Sequence, residues 1–84
     1  MKKVDPKLYN LHSRIILRKT KNDIFIVMDR KSRIIMKDGV RILEIVKKIR
    51  DFEIEKNVSV LPDAPVCSKT QKLLNENNIT VKSL

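Results

Sequence analysis

Asp29 and Lys31 are the residues whose types and spacing best suit chemistry. They follow the apolar run 24–28, and residues two apart on a strand point to the same side of it. In that arrangement the carboxylate could hold Mg²⁺ and the ammonium could orient an attacking water. Asp29 and Lys31 are therefore candidate catalytic residues of a metal-dependent hydrolase. The competing interpretation is an aspartate in a turn beside solvent-exposed basic residues.

The strands that would position this pair are predicted from the apolar pattern. Residues 13–19 are rich in β-branched and apolar side chains. As a strand they place Arg14 and Arg18 on one face and Ile15 and Leu17 on the other, which indicates a half-buried strand. Residues 24–28 are apolar on both faces, as in a central strand that is covered on both sides. Residues 33–36 have the composition of a third strand. Short connections favour antiparallel neighbours, so the sequence predicts an antiparallel meander over 13–36.

Two helices are predicted after the meander. Apolar residues recur at helical spacing in the first, which predicts a helix over about 39–52 with Asp38 as its N-cap. Ser68 and Gln71 match a capping box, which predicts a second helix over about 68–78.

Strands are expected on both sides of the second helix, over 57–61 and 79–84. The predicted fold class is therefore α/β (α+β): a small mixed sheet with two helices in the order βββαβαβ, the meander being followed by a βαβ unit. Residues 1–12 are predicted to form an N-terminal arm and residues 13–84 a single α/β domain.

Asp29-Arg30-Lys31, closing a strand before a helix, resembles the acid-x-Lys half-site of the PD-(D/E)XK nuclease core, and the elements predicted after it look similar. The resemblance would span roughly 13–84. It implies a metal-dependent nuclease that uses Asp29 and Lys31 with Mg²⁺, or an inactive relative that keeps the fold alone. The family's other metal-binding acid should lie on the preceding strand, but residues 13–19 contain no carboxylate.

The positive charge of the chain is concentrated in its first part. The 84 residues carry 19 Lys and Arg against 10 Asp and Glu, a net charge of +9. Residues 1–50 hold 15 of the basic and 5 of the acidic side chains, so the last 34 residues are close to neutral. A localised basic surface is typical of proteins that bind polyanions, because each phosphate that is neutralised releases condensed counterions.

The meander is the predicted nucleic-acid surface, since eight basic residues lie within 14–37. The residues expected to contact phosphate are Arg14, Arg18, Lys19, Lys21, Arg30, Lys31 and Arg33. The chain has three aromatic residues and two of them have core-like surroundings, so single-strand readers that stack bases are disfavoured. Duplex or structured nucleic acid, contacted through its backbone, is the predicted partner. The alternatives are a merely solubilising surface or one that binds an acidic protein or a membrane surface.

Three further residues have weaker functional interpretations. Cys67 precedes the second predicted helix, where the helix dipole and Lys69 could lower its pKa, although a small buried cysteine is the simpler expectation. His12 has no Cys or acidic neighbour at ligand spacing, so a surface or packing role is expected. Gly39 is the sole glycine, which excludes glycine-rich phosphate loops.

Several protein classes are excluded by the composition. One cysteine cannot form an intramolecular disulfide, and no apolar run approaches the roughly 18 residues of a membrane span. We therefore predict a cytoplasmic protein with no membrane partner. No cofactor is predicted, apart from Mg²⁺ if the chain is a nuclease. A third function class is a structural or protein-interaction subunit, which could form a homodimer through an open sheet edge.

Overall fold

A computed structural model describes residues 2–29 and 33–82 of the chain. Its strands are β1 (Lys2–Val4), β2 (Ile16–Lys19), β3 (Asp23–Met28), β4 (Asn57–Pro62) and β5 (Thr80–Val81), and its helices are α1 (Met36–Phe52) and α2 (Ser68–Glu76). A 3₁₀ helix, Pro6–Tyr9, lies between β1 and β2. The five strands follow one another across a single sheet in chain order. The fold is therefore the small mixed α/β domain that the sequence predicts.

The sheet changes direction at β3. Strands β1, β2 and β3 pair antiparallel, whereas β3, β4 and β5 pair parallel through the crossover helices α1 and α2. Alternate residues along the strands point to one face of the sheet, and Leu17, Ile26 and Val60 are cross-strand neighbours on that face. They belong to the same core cluster as Ile42 of α1 and Leu74 of α2. Both helices therefore pack on the same face of the sheet, and neither covers its other face.

The third predicted strand is wrong in its position. Residues 33–36 form one isolated bridge, between Ile34 and Val66, and α1 already begins at Met36. The third antiparallel strand is instead β1, so the described meander spans 2–28 rather than 13–36. Apolar composition could not separate the two cases, because residues 34–36 are apolar whether they form a strand or a helix entry.

The N-terminal residues belong to the same sheet and core as the rest of the chain. Val4 on β1 is buried, and so are Tyr9 and Leu11 in the segment that leads to β2. Asp5 supports this path by accepting a hydrogen bond from the Lys7 backbone N–H at 3.0 Å, as the N-cap of the 3₁₀ helix.

The N-caps of both helices precede the predicted ones, although α2 itself begins at Ser68 as predicted. The N-cap of α1 is Ile35, and Asp38 lies in the first turn, where its Oδ2 accepts the Ile35 backbone N–H at 3.1 Å. Asp38 thus supplies the acidic half of a capping box instead of the N-cap. The N-cap of α2 is Cys67 rather than Ser68.

The two helices contact each other closely near their N-termini. A Cβ added to Gly39 of α1 would lie 2.8 Å from the Thr70 Cγ2 of α2, so glycine permits this approach. Arg50, near the end of α1, donates to the backbone carbonyls of Asn77 and Asn78 at 3.0 and 3.1 Å. These contacts fix both ends of α2 against α1. Within the described residues, no helix is long and apolar enough to cross a membrane.

Candidate nucleic-acid interface

The predicted phosphate-binding residues separate into two groups at opposite ends of β2 and β3. Arg18 and Lys19 end β2, and Lys21 lies in the turn to β3. Arg14 precedes β2 and Arg33 follows β3, so both lie at the other end of this antiparallel pair. Arg30 and Lys31 lie outside the described residues. The described cations of the predicted surface are therefore not a single patch.

Two lysines that sequence reasoning left out join the first group. Lys2 on β1 is directly opposite Lys19 on β2, and Lys3 is directly opposite Arg18. We call Lys2, Lys3, Arg18, Lys19 and Lys21 the basic corner. Lys2 and Lys3 were missed because residues 1–12 were interpreted as an arm. The signal that pointed to them was the excess positive charge of residues 1–50, which includes both.

The basic corner is not neutralised by the described part of the chain. Among the described residues, no carboxylate lies within 4.0 Å of any of its five cationic groups. Like charges directly opposite each other on antiparallel strands destabilise the pairing, and here two successive pairs have this arrangement. The fold thus bears an electrostatic cost that a bound anion would remove.

Three cations lie on the face of the sheet that the helices leave uncovered. The register places Lys3, Arg18 and Phe25 in one row across β1, β2 and β3, on the face opposite the core residues Leu17 and Ile26. Lys82, which follows β5, lies over the Phe25 ring with its ammonium 5.2 Å from the ring centroid. Arg18, opposite Phe25 in the register, and Lys82, over its ring, therefore lie on the same helix-free face.

The aromatic side chains do not form a base-stacking platform. Phe25 is the aromatic residue on the helix-free face, and it is only 6% exposed. Tyr9 is buried and Phe52 is 57% exposed, but these two pack edge to face, with centroids 5.8 Å apart, near the end of α1. The Phe25 ring, beside the cations of the helix-free face, is therefore too buried to stack on a base.

Asp29 lies where the motif predicts, directly after β3, and it is exposed. Lys31 lies outside the described residues. Asp29 borders the same groove as Asp38, but Asp38 is largely buried and engaged by the Ile35 backbone. Among the described residues, no group of three or more His, Cys, Asp or Glu side chains is arranged to hold a metal ion. Asp29 is therefore not part of such a group within the part of the chain that the structure describes.

Cys67 and His12 have local structural roles. The Cys67 Sγ accepts the Thr70 backbone N–H at 3.4 Å and lies 3.0 Å from the Thr70 Oγ1. These two contacts with Thr70 lower the pKa of the Cys67 thiol, with a smaller contribution from the charge of Arg33. The sequence offered a lowered pKa as the alternative to a small buried cysteine. Lys69 contributes to the lower pKa through its backbone N–H, and the cation that contributes is Arg33. The His12 Nδ1 accepts the Arg14 backbone N–H at 3.1 Å and shapes the turn before β2.

No protein-family model, no curated protein and no solved structure matches this chain. The resemblance to the PD-(D/E)XK core thus gains no support from the comparisons, and the functional argument rests on the geometry described above.

Proposed function

We propose that this chain binds nucleic acid through the phosphate backbone, with the basic corner and the adjoining helix-free face of the sheet as the contact surface. The observation that carries the proposal is the like-charged cross-strand pair of Lys3 and Arg18 on the helix-free face. A second such pair, Lys2 and Lys19, lies beside it at the same edge of the sheet and points to the opposite face. A fold that needed only solubility could distribute these charges over its surface. Concentrating them on two paired strands costs stability, and a polyanion offsets that cost.

Duplex or structured nucleic acid is the ligand that these contacts favour. Lys and Arg bind phosphate without reading sequence, and Arg18 can also bind two phosphate oxygens at once. Recognition of single strands would need exposed aromatic rings, and Phe25 is covered. We therefore expect affinity that depends strongly on salt and weakly on sequence.

The experiment compares two double variants that lose the same charge. Lys3→Gln/Arg18→Gln removes one like-charged pair, whereas Lys69→Gln/Lys72→Gln removes two exposed cations from α2, in the helix layer. Fluorescence anisotropy with a labelled duplex of about 20 base pairs, as DNA and as RNA, would be measured over a series of salt concentrations.

We expect wild-type affinity to fall steeply with salt. Loss of two phosphate contacts should make the slope of log K against log salt shallower by about 1.8 for B-form DNA, and the α2 variant should keep the wild-type slope. Equal weakening by both variants would mean that only net charge matters and would reject the assigned surface. Absence of binding to either duplex at low salt would reject the function.

A further inference from the structure

A groove separates α1 from the segment 11–16 that leads into β2. Its volume is about 920 Å³, and apolar side chains such as Leu11, Ile15 and Ile26 line part of it. Four Lys and Arg side chains and four carboxylates also line it: Arg14, Arg41, Lys47 and Lys48, with Asp29, Asp38, Glu44 and Asp51. A polyanion would meet as many carboxylates as cations here, so the groove is not an extension of the basic corner.

The α1 wall of this groove carries charges at regular spacing. Arg41, Glu44, Lys48 and Asp51 are all exposed, and the steps of three, four and three residues between them are those of a coiled-coil seam. Residues at such positions face a second helix when one packs alongside. An apolar seam would accept many partners, but a charged seam accepts only a helix whose charges are complementary.

The seam is complementary to itself in the antiparallel direction. If two copies of α1 lie side by side in opposite directions around a two-fold axis level with residue 46, Arg41 faces Asp51 of the second copy. In the same arrangement Glu44 faces Lys48 of the second copy. The two-fold axis repeats both contacts, so every seam charge meets an opposite charge.

The direction of the seam charges gives a second, independent reason for pairing. Asp38 and Arg50 are placed favourably in the helix dipole, with the acid in the first turn and the cation near the end. Both also make hydrogen bonds to backbone groups of this chain. The outer seam charges run the other way, with Arg41 toward the N-terminus and Asp51 in the last turn, whereas Glu44 and Lys48 follow the dipole. Arg41 and Asp51 are therefore placed unfavourably in the dipole of their own helix, and an antiparallel neighbour brings each of them toward the favourable end of the partner's dipole.

We propose that α1 binds α1 of a second copy of this chain in an antiparallel pair, through Arg41, Glu44, Lys48 and Asp51. Lys48 also donates to the Asn10 backbone carbonyl at 3.2 Å, but an ammonium has three donors and can hold both partners. The sheet edge β1 is a poorer dimer contact, because Lys2 and Lys3 on both copies would repel each other. The pair does not depend on nucleic-acid binding.

Sedimentation velocity of the full chain, at low and at high salt and at concentrations up to the order of 100 µM, tests the pairing. We expect a reversible dimer at low salt that dissociates at high salt. Glu44→Lys and Lys48→Glu, each alone, should give monomers because like charges then face each other. The double variant Glu44→Lys/Lys48→Glu should form the dimer again, and an equal mixture of the two single variants should form a heterodimer.

Glu76→Lys on α2 is the matched control, since it makes the same charge change at an exposed position outside the groove and should leave the dimer unchanged. Circular dichroism of each variant would verify that it is folded. A wild-type monomer at low salt overturns the proposal. So does a dimer that survives Glu44→Lys, a double variant that stays monomeric, or a control that dissociates as readily as Glu44→Lys.

Discussion

The cross-strand repulsion in the basic corner can be measured directly as a free energy of unfolding. Lys3 and Arg18 are directly opposite on β1 and β2. Charge reversal at either position, Lys3→Glu or Arg18→Glu, turns the repulsion into an attraction, and reversal at both restores a repulsion between two carboxylates. The four proteins therefore form a double-mutant cycle in which the pair energy changes sign twice.

The size of the effect follows from the strand geometry. With the two charges about 6 Å apart in water, the Coulomb energy is about 0.7 kcal/mol, and screening at 0.15 M salt reduces it to about 0.3 kcal/mol. Each single reversal should then gain about 0.6 kcal/mol, or roughly 2–5 °C in melting temperature for a chain of this size. The coupling energy over the whole cycle should be about 1.2 kcal/mol.

The cycle separates this pair from two other effects. Arg18 also donates to the Leu17 backbone carbonyl at 2.9 Å, and loss of that bond lowers the stability of both variants that carry Arg18→Glu, so it cancels in the coupling. If net charge alone governed stability, the double variant would be at least as stable as either single one. Urea denaturation of the four proteins at 0.15 M and at 1 M salt measures the coupling, which should nearly vanish at the higher concentration. A coupling near zero at low salt, or one that salt leaves unchanged, would refute the reasoning.

Three further predictions concern single residues. Gly39→Ala places a Cβ 2.8 Å from the Thr70 Cγ2, so overpacking should outweigh the gain in helix propensity and lower the free energy of unfolding by about 1 kcal/mol. Adding Thr70→Ser removes the Cγ2 and should recover the loss. An unchanged urea midpoint for Gly39→Ala would contradict the contact. Burial, and then the nearby Glu53, raise the pKa of Tyr9 above its ordinary 10.0, so the tyrosinate absorbance of this single-tyrosine chain should show a midpoint above that value. The stability that the protonated Tyr9 contributes is complete below pH 10 and is lost as pH rises through the higher pKa of the folded state. A midpoint at or below 10 would argue against the buried ring. Any Mg²⁺-dependent cleavage of a duplex should disappear in Asp29→Asn while binding persists, and cleavage by that variant would remove Asp29 from the chemistry.

The helices and the central strand of this chain could be predicted from the sequence because their signals are strong and local. The spacing of Ile42, Ile45, Val46 and Ile49 fits one face of a helix and no strand, and all four are buried. The apolar run in β3, whose residues Ile24, Phe25 and Ile26 are buried, likewise has few alternatives. Fold class followed from these elements, since strand, helix and strand in succession favour a parallel crossover.

The edge strand and the interface could not be predicted in the same way. Lys2–Val4 has three residues and one buried side chain, so its pattern is too short to indicate a strand. Lys2–Val4 is a strand only because it pairs with β2, and this pairing is a tertiary contact. The same contact brings Lys2 and Lys3 to Arg18 and Lys19, so the omission of β1 also hid two of the five cations of the basic corner. Charge counting found the region but could not show which cations face one another.

The position of β3 between two kinds of pairing has a consequence for the order of folding. The turn 20–22 is all that separates β3 from its partner β2 along the chain, whereas α1 and its flanking segments separate β3 from its partner β4. Closing the shorter loop costs less chain entropy, so the β2–β3 hairpin is the natural nucleus on which the parallel half assembles. Backbone amides of Ile24–Val27 should then exchange with solvent only on global unfolding, while those of β1 open by local fraying.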